Sequence, residues 1–289
     1  MILSALVSLP FAALIFAAGA VAGRGLAAVM MRIAQAEGYP TSRYYAFAGG
    51  SWVAAVPILG HWLGPRGSRC PRLLTLELGG AFAFVLCWAL FPPAKAACGA
   101  LFLLTIFAAS LIDLDHMILP DLFTVGLAVA GLILSGFLPE LHGASAATLW
   151  TCLRSFASAG LGLAIGSAIV LWFSVIGEIV LGREVLGFGD VKFLGAIGAF
   201  CGWQGAVFAI FGGAAIGAIV LLSGAVSRVF FGGGGLELLQ HSSGSARNGR
   251  LAWGAHFPFG PMLAAAAALY FLALHPWVDQ YLAQYKALF

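Results

Sequence analysis

Eight apolar runs, each about the length of a membrane crossing, leave this chain no soluble way to pack. About twenty consecutive apolar residues is the length an α-helix needs to cross the hydrocarbon core of a bilayer. Such runs fall at 2–22, 75–92, 97–114, 121–138, 155–181, 190–204, 206–227 and 258–276. Charged residues make up only 9% of the chain, against about 25% in an ordinary soluble domain. The prediction is an all-α polytopic membrane protein with about eight transmembrane helices. The fifth run is long enough to tilt or protrude. The sixth is short, as expected of a helix that starts beside protein-lined space. Run 2–22 has no basic residue before it and Arg24 and Arg32 after it. That is the reverse of a secretory signal, so it reads as a retained first helix with its N-terminus outside.

Lysine and arginine orient the spans, because cytoplasmic loops collect them. Eleven fall on one side (Arg24, Arg32, Arg43, Arg66, Arg69, Arg72, Arg183, Lys192, Arg228, Arg247 and Arg250) and three on the other (Lys95, Arg154 and Lys286). The first side is therefore cytoplasmic. The net charge of +3 is small and its carriers are scattered, which argues against nucleic acid as a partner. Loop 23–74 contains a further apolar stretch, 45–63, that reads as either re-entrant or interfacial. The glycines Gly232 to Gly235 and the Ser- and Arg-rich stretch after them read as a flexible cytoplasmic loop. The five cysteines are far apart and mostly inside apolar runs, as buried small hydrophobes are.

Eleven acidic residues serve the whole chain, and four of them (Asp113, Asp115, Asp121 and Asp190) lie in two short segments that end up on the cytoplasmic side. A carboxylate within a membrane span costs about 2.5–3.5 kcal/mol even on the lenient insertion scale, so its presence points to function. Two aspartates brought together from separate helices can share one proton and activate a water. Asp113 and Asp115 point about 200° apart on a helix, so only one of them can face Asp190. Asp113, nearer the apolar span, is the candidate. Asp121 stands where the fourth helix should start, a good capping position. Gly187 and Gly189 allow close approach of backbone and substrate to Asp190. Lys192 either tunes the charge of the pair or anchors its helix to headgroups, and we take it as an anchor.

The strings Ile112-Asp-Leu-Asp-His-Met-Ile-Leu-Pro-Asp121 and Gly182-Arg-Glu-Val-Leu-Gly-Phe-Gly-Asp-Val-Lys192 resemble those of type IV prepilin peptidases, intramembrane aspartic proteases of the GxGD type. Phe257-Pro-Phe-Gly-Pro261 is similar to the segment that opens the last helix of that family. The likeness covers about 97–270. It implies Asp113 and Asp190 as catalytic, with Asp113 seven residues before Pro120 as in the family, and Gly187, Gly189, Lys192, Asp115, Asp121 and Pro120 as supporting residues. It implies prepilin or pseudopilin substrates and a multi-pass protein of the bacterial inner membrane with its site facing the cytoplasm. The domains read as a first helix (1–22), a cytoplasmic loop of degenerate methyltransferase type (23–74) and a membrane-embedded peptidase (75–289).

The likeness weakens in loop 23–74. Many relatives carry two Cys-x-x-Cys pairs there that bind zinc, and they methylate the new amino terminus with S-adenosylmethionine. Only Cys70 remains here, and a tetrahedral structural site needs four ligands. Zinc is therefore not expected, no cofactor is needed for proteolysis, and methyl transfer is expected to be weak or absent. Glu77 aligns with a glutamate that follows the cysteine region in longer relatives, or caps the second helix. Two rival readings are an ion- or proton-coupled transporter using the same carboxylates, and a relative that binds prepilins without cutting them. Oligomeric state is not legible in the sequence.

Overall fold

The computed structural model describes residues 9–36, 56–63, 70–144, 147–182, 186–231 and 258–286. Every regular element among them is helical. In order these are α1 (Leu9–Ala36), α2 (Gly60–Leu63), α3 (Pro71–Leu90), α4 (Pro93–His116), α5 (Asp121–Phe137), a 3₁₀ turn (Pro139–His142), α6 (Leu149–Leu181), α7 (Phe188–Phe231), α8 (Gly260–Leu269), a π turn (Tyr270–Leu274) and α9 (His275–Lys286). Six helical runs are long and apolar enough to cross a membrane, and α5 is a shorter apolar helix. The chain is a multi-pass, all-α membrane protein.

The run 188–224 is 37 residues long, or about 55 Å at 1.5 Å per residue, far more than one crossing needs. It breaks at Gly202, whose φ of 70° and ψ of 178° are not helical. A methyl built on Gly166 of α6 would lie 2.6 Å from the Leu194 carbonyl oxygen and 3.2 Å from the Ala206 methyl. Twelve residues of straight helix would separate those two positions by about 18 Å. Segments 188–201 and 203–231 therefore fold back on each other, giving the sixth and seventh spans expected from the sequence.

The chain packs as two compact units, Met1–Ala108 and Ala109–Phe289, a division that falls inside α4. In the first unit, α1 extends past residue 22 to Ala36, so 23–36 is helix and not loop. A methyl on Gly19 of α1 would stand 2.5 Å from the Gly80 carbonyl oxygen of α3. Small residues permit this backbone contact, which matters where lipid supplies no hydrophobic drive for helix pairing. Such contact also lets α1 carry Arg24 to Glu77, which is fully buried on α3. Arg24 Nε lies 3.4 Å from Glu77 Oε1, and His61 Nε2 lies 3.2 Å from Oε2. The Ile58 N–H donates to Oε2 at 2.6 Å, with Ile58 held at a φ of 62°, rare for a β-branched residue. Glu77 thus binds three groups from two other segments and does not cap α3, whose N-cap is Cys70. Of the stretch 45–63, residues 56–63 form a turn and the four-residue α2; the rest lies outside the described residues.

In the second unit α6 and α7 meet through glycines in the same way, Gly162 against Gly198. A capping box starts α6: Thr148 Oγ1 accepts from the Thr151 N–H, and Thr151 Oγ1 accepts from the Thr148 N–H. At 33 residues α6 is the long span foreseen, with Glu178 exposed near its end. Tyr270, nearly inaccessible, packs on Phe208 at a ring distance of 5.6 Å and opens the π turn in the last span.

Candidate active site

Three helix ends converge in the second unit. Asp113 lies in the last turn of α4, where its carbonyl accepts the Met117 N–H at 2.8 Å. Met117 then takes a φ of 56° and the helix stops. Pro120, extended at the N-cap of α5, cannot continue α4 and starts the next helix. Asp190 sits in the first turn of α7. Gly187, just before that turn, accepts the Asp190 N–H at 3.0 Å and donates its own N–H to the Asp190 carboxylate.

Asp113 and Asp190 are electrostatic neighbours: the charge of one acts directly on the other. Asp113 is 6% exposed, and its Oδ2 accepts the Gly260 N–H of α8 at 3.0 Å. The pair thus comes from α4 and α7, and α8 fixes the orientation of one member. Segment 188–201 is only fourteen residues long, about 21 Å of helix. It is shorter than the roughly 30 Å hydrocarbon core. Asp115, also buried, is two residues further along α4.

The other candidate residues are placed as follows. Gly189 presses on Leu119 in the turn after α4: a methyl there would come within 3.1 Å of the Leu119 Cβ. Gly187 is exposed, with open space on the side of its missing side chain except for Asp190 Oδ2 at 3.8 Å. Asp121 is the first residue of α5 and not its N-cap, which is Pro120. Its carboxylate instead meets Lys192, with Nζ to Oδ1 at 2.6 Å. The Lys192 side chain also covers the Phe188 ring at 5.0 Å. Lys192 is therefore an ion-pair strut between α5 and α7, not the free headgroup anchor expected. Gly260 is the site residue that sequence reasoning missed. The string Phe257–Pro261 marked the start of a helix, but nothing local says that its amide reaches an aspartate 147 residues away.

Apolar helices that carry a buried aspartate, Asp113, and a half-buried one, Asp190, at their ends define a polytopic membrane protein with two neighbouring carboxylates. Residues 100–222, which contain both aspartates, match the type IV leader peptidase family. The chain is 32% identical over 189 residues to a prepilin leader peptidase/N-methyltransferase of Stutzerimonas stutzeri, covering 65% of this chain and 52% of that protein. A protein of the same name from Burkholderia pseudomallei is 32% identical over 219 residues, 73% of this chain and 57% of the relative. Another from Aeromonas salmonicida is 30% identical over 226 residues, 73% and 63% respectively. The matched region spans between half and two thirds of these relatives' length. No solved structure matches the chain.

Proposed function

We propose that this protein is an aspartic endopeptidase that removes the leader peptide of type IV prepilins or pseudopilins at the cytoplasmic face of the bacterial inner membrane. The observation that carries this reading is the Asp113–Asp190 pair, built from two helices and held by the amides of Gly260 and Gly187. Two adjacent carboxylates hold one proton between them, so one acts as base and the other as acid. The ionised member takes a proton from a water, and the resulting hydroxide attacks the scissile carbonyl carbon. The protonated member donates to the carbonyl oxygen as the tetrahedral intermediate forms. Collapse of the intermediate breaks the C–N bond, and a proton from the pair goes to the departing amine.

Substrate chemistry fits the position of the pair. A prepilin leader presents a basic segment on the cytoplasmic side followed by an apolar helix, and carboxylates at that face stand at the junction. Incubating the purified protein with a prepilin should yield a shortened product. A chain whose prepilin stays intact under conditions where a relative cuts it is not a peptidase. Labelling a cysteine placed at Gly187 should succeed only from the cytoplasmic side; labelling from outside would overturn the orientation.

The zinc site of the usual relatives does not fit the residues described. Cys70 is buried at the N-cap of α3, and His61 Nε2 is turned to Glu77. We therefore assign no step to a metal, and leave methyl transfer outside the proposed activity.

A further inference from the structure

A second polar cavity lies at the opposite end of the same helices. Helix α5 runs from Asp121, beside the acid site, to Phe137 at this far end, and α7 runs from Asp190 to its break at Gly202. The cavity is about 650 Å³, and its polar wall is made by His142, Arg154, Ser155, Ser158 and Gln204, with Trp203 at one side. Thr151, Arg154, Ser155 and Ser158 follow the i, i+3, i+4, i+7 spacing and so occupy one face of α6. They are the polar residues of the first ten positions of an otherwise apolar helix. A polar stripe in a membrane span is costly unless it meets polar partners.

Two of these groups, Ser155 and Arg154, have no polar partner among the described residues. The Ser155 hydroxyl has no hydrogen-bond partner among the described residues, although Ser155 is only 3% exposed. Arg154 makes no hydrogen bond or ion pair among the described residues and is exposed. A methyl built on Gly202 would lie 3.1 Å from Gln204 Oε1 and 3.9 Å from His142 Nδ1 and Ser158 Oγ, so these polar atoms crowd around the break in α7. His142 is steadied from behind, its Nε2 lying 3.1 Å from Ser135 Oγ.

We propose that this cavity binds the phosphodiester headgroup of an anionic phospholipid. One guanidinium matches one phosphodiester charge and offers it a fork of donors, and the half-buried Ser158 hydroxyl on the same face adds a neutral donor. The surroundings select a lipid over a soluble phosphate. Trp150, Leu153, Phe156 and Leu161 on α6 are between 49% and 74% exposed, an apolar apron for acyl chains beside the polar cavity. Trp203 and Trp150 suit the headgroup level. By the lysine and arginine asymmetry the site belongs to the outer leaflet, so it is distinct in place and chemistry from the peptidase site.

The test uses the full-length protein purified in detergent. Phosphatidylglycerol, phosphatidylcholine, glycerol phosphate and inorganic phosphate are added separately, and bound lipid is counted by native mass spectrometry alongside the thermal midpoint. Phosphatidylglycerol should be retained and raise the midpoint, and the other three should do neither. Arg154→Gln should weaken phosphatidylglycerol retention at least tenfold, and Ser158→Ala should weaken it less, both with prepilin cleavage in detergent unchanged. Equal retention by Arg154→Gln and the unaltered protein overturns the site. Equal retention of phosphatidylcholine overturns the charge match, and equal binding of glycerol phosphate or inorganic phosphate overturns the lipid as its source.

Discussion

The Gly260 N–H donates to Asp113 Oδ2 at 3.0 Å, and the same residue has no room for a side chain. A methyl built on Gly260 would lie 2.6 Å from that oxygen. Gly260→Ala therefore keeps the amide and a good helix former, but pushes the carboxylate aside. Misplacement of a reacting group by about 1 Å can cost about 10²-fold in rate. Gly260→Ala should cut prepilin with a kcat lowered by about that factor, KM nearly unchanged and normal thermal stability. Wild-type kcat in this variant would show that the contact does not orient the catalytic group.

Asn at Asp113 or Asp190 preserves shape and hydrogen bonding but cannot take or surrender the shared proton. Each variant should lose at least the 10²–10⁴-fold that general acid–base catalysis contributes, while inserting normally. Asp115→Ala should retain measurable cleavage. Prepilin processing at near wild-type rate by either Asn variant would remove the two-carboxylate mechanism, and a dead Asp115→Ala beside a working Asp113→Ala would reassign the first acid.

In the first unit, Glu77→Gln keeps the shape of the side chain while deleting the negative charge opposite Arg24. Breaking a buried ion pair by removing one partner costs about 3–5 kcal/mol, and Glu77 is fully buried. The thermal midpoint of the purified protein should drop by several degrees. Arg24→Met combined with Glu77→Gln should recover part of the loss, because the uncompensated cation is gone. A midpoint unmoved by Glu77→Gln alone would mean that the pair contributes nothing to stability.

With Cys70 as the sole cysteine of its loop, metal should be dispensable. The purified protein should bind less than one zinc per chain, cut prepilin after chelator treatment at its former rate, and methylate the product weakly or not at all. Mass spectrometry of the mature pilin reads the outcome: one full extra methyl per chain, added by this enzyme alone, would refute the inference from the lost cysteines.

Hydropathy made the spans legible, and scarcity made the acids so, since few carboxylates survive in a chain this apolar without a task. Even the break in α7 was visible as two separate runs, 190–204 and 206–227. What stayed hidden are pairings between distant residues. Arg24 read as a loop cation because a charge usually ends a span, yet its partner Glu77 lies on another helix and lets α1 continue through it to Ala36. Asp121 and Lys192, 71 residues apart, each suggested a local job, one as a cap and the other as an anchor; together they form a strut.

The reversal at Gly202 bears on how the protein is made. A turn of one residue leaves no loop that a translocation machinery could thread separately, so segments 188–201 and 203–231 must enter the bilayer together as a helical hairpin. Both ends of a hairpin emerge on the side from which it entered. Asp190, at the open end of this hairpin, therefore shares one side of the membrane with the far end of α7.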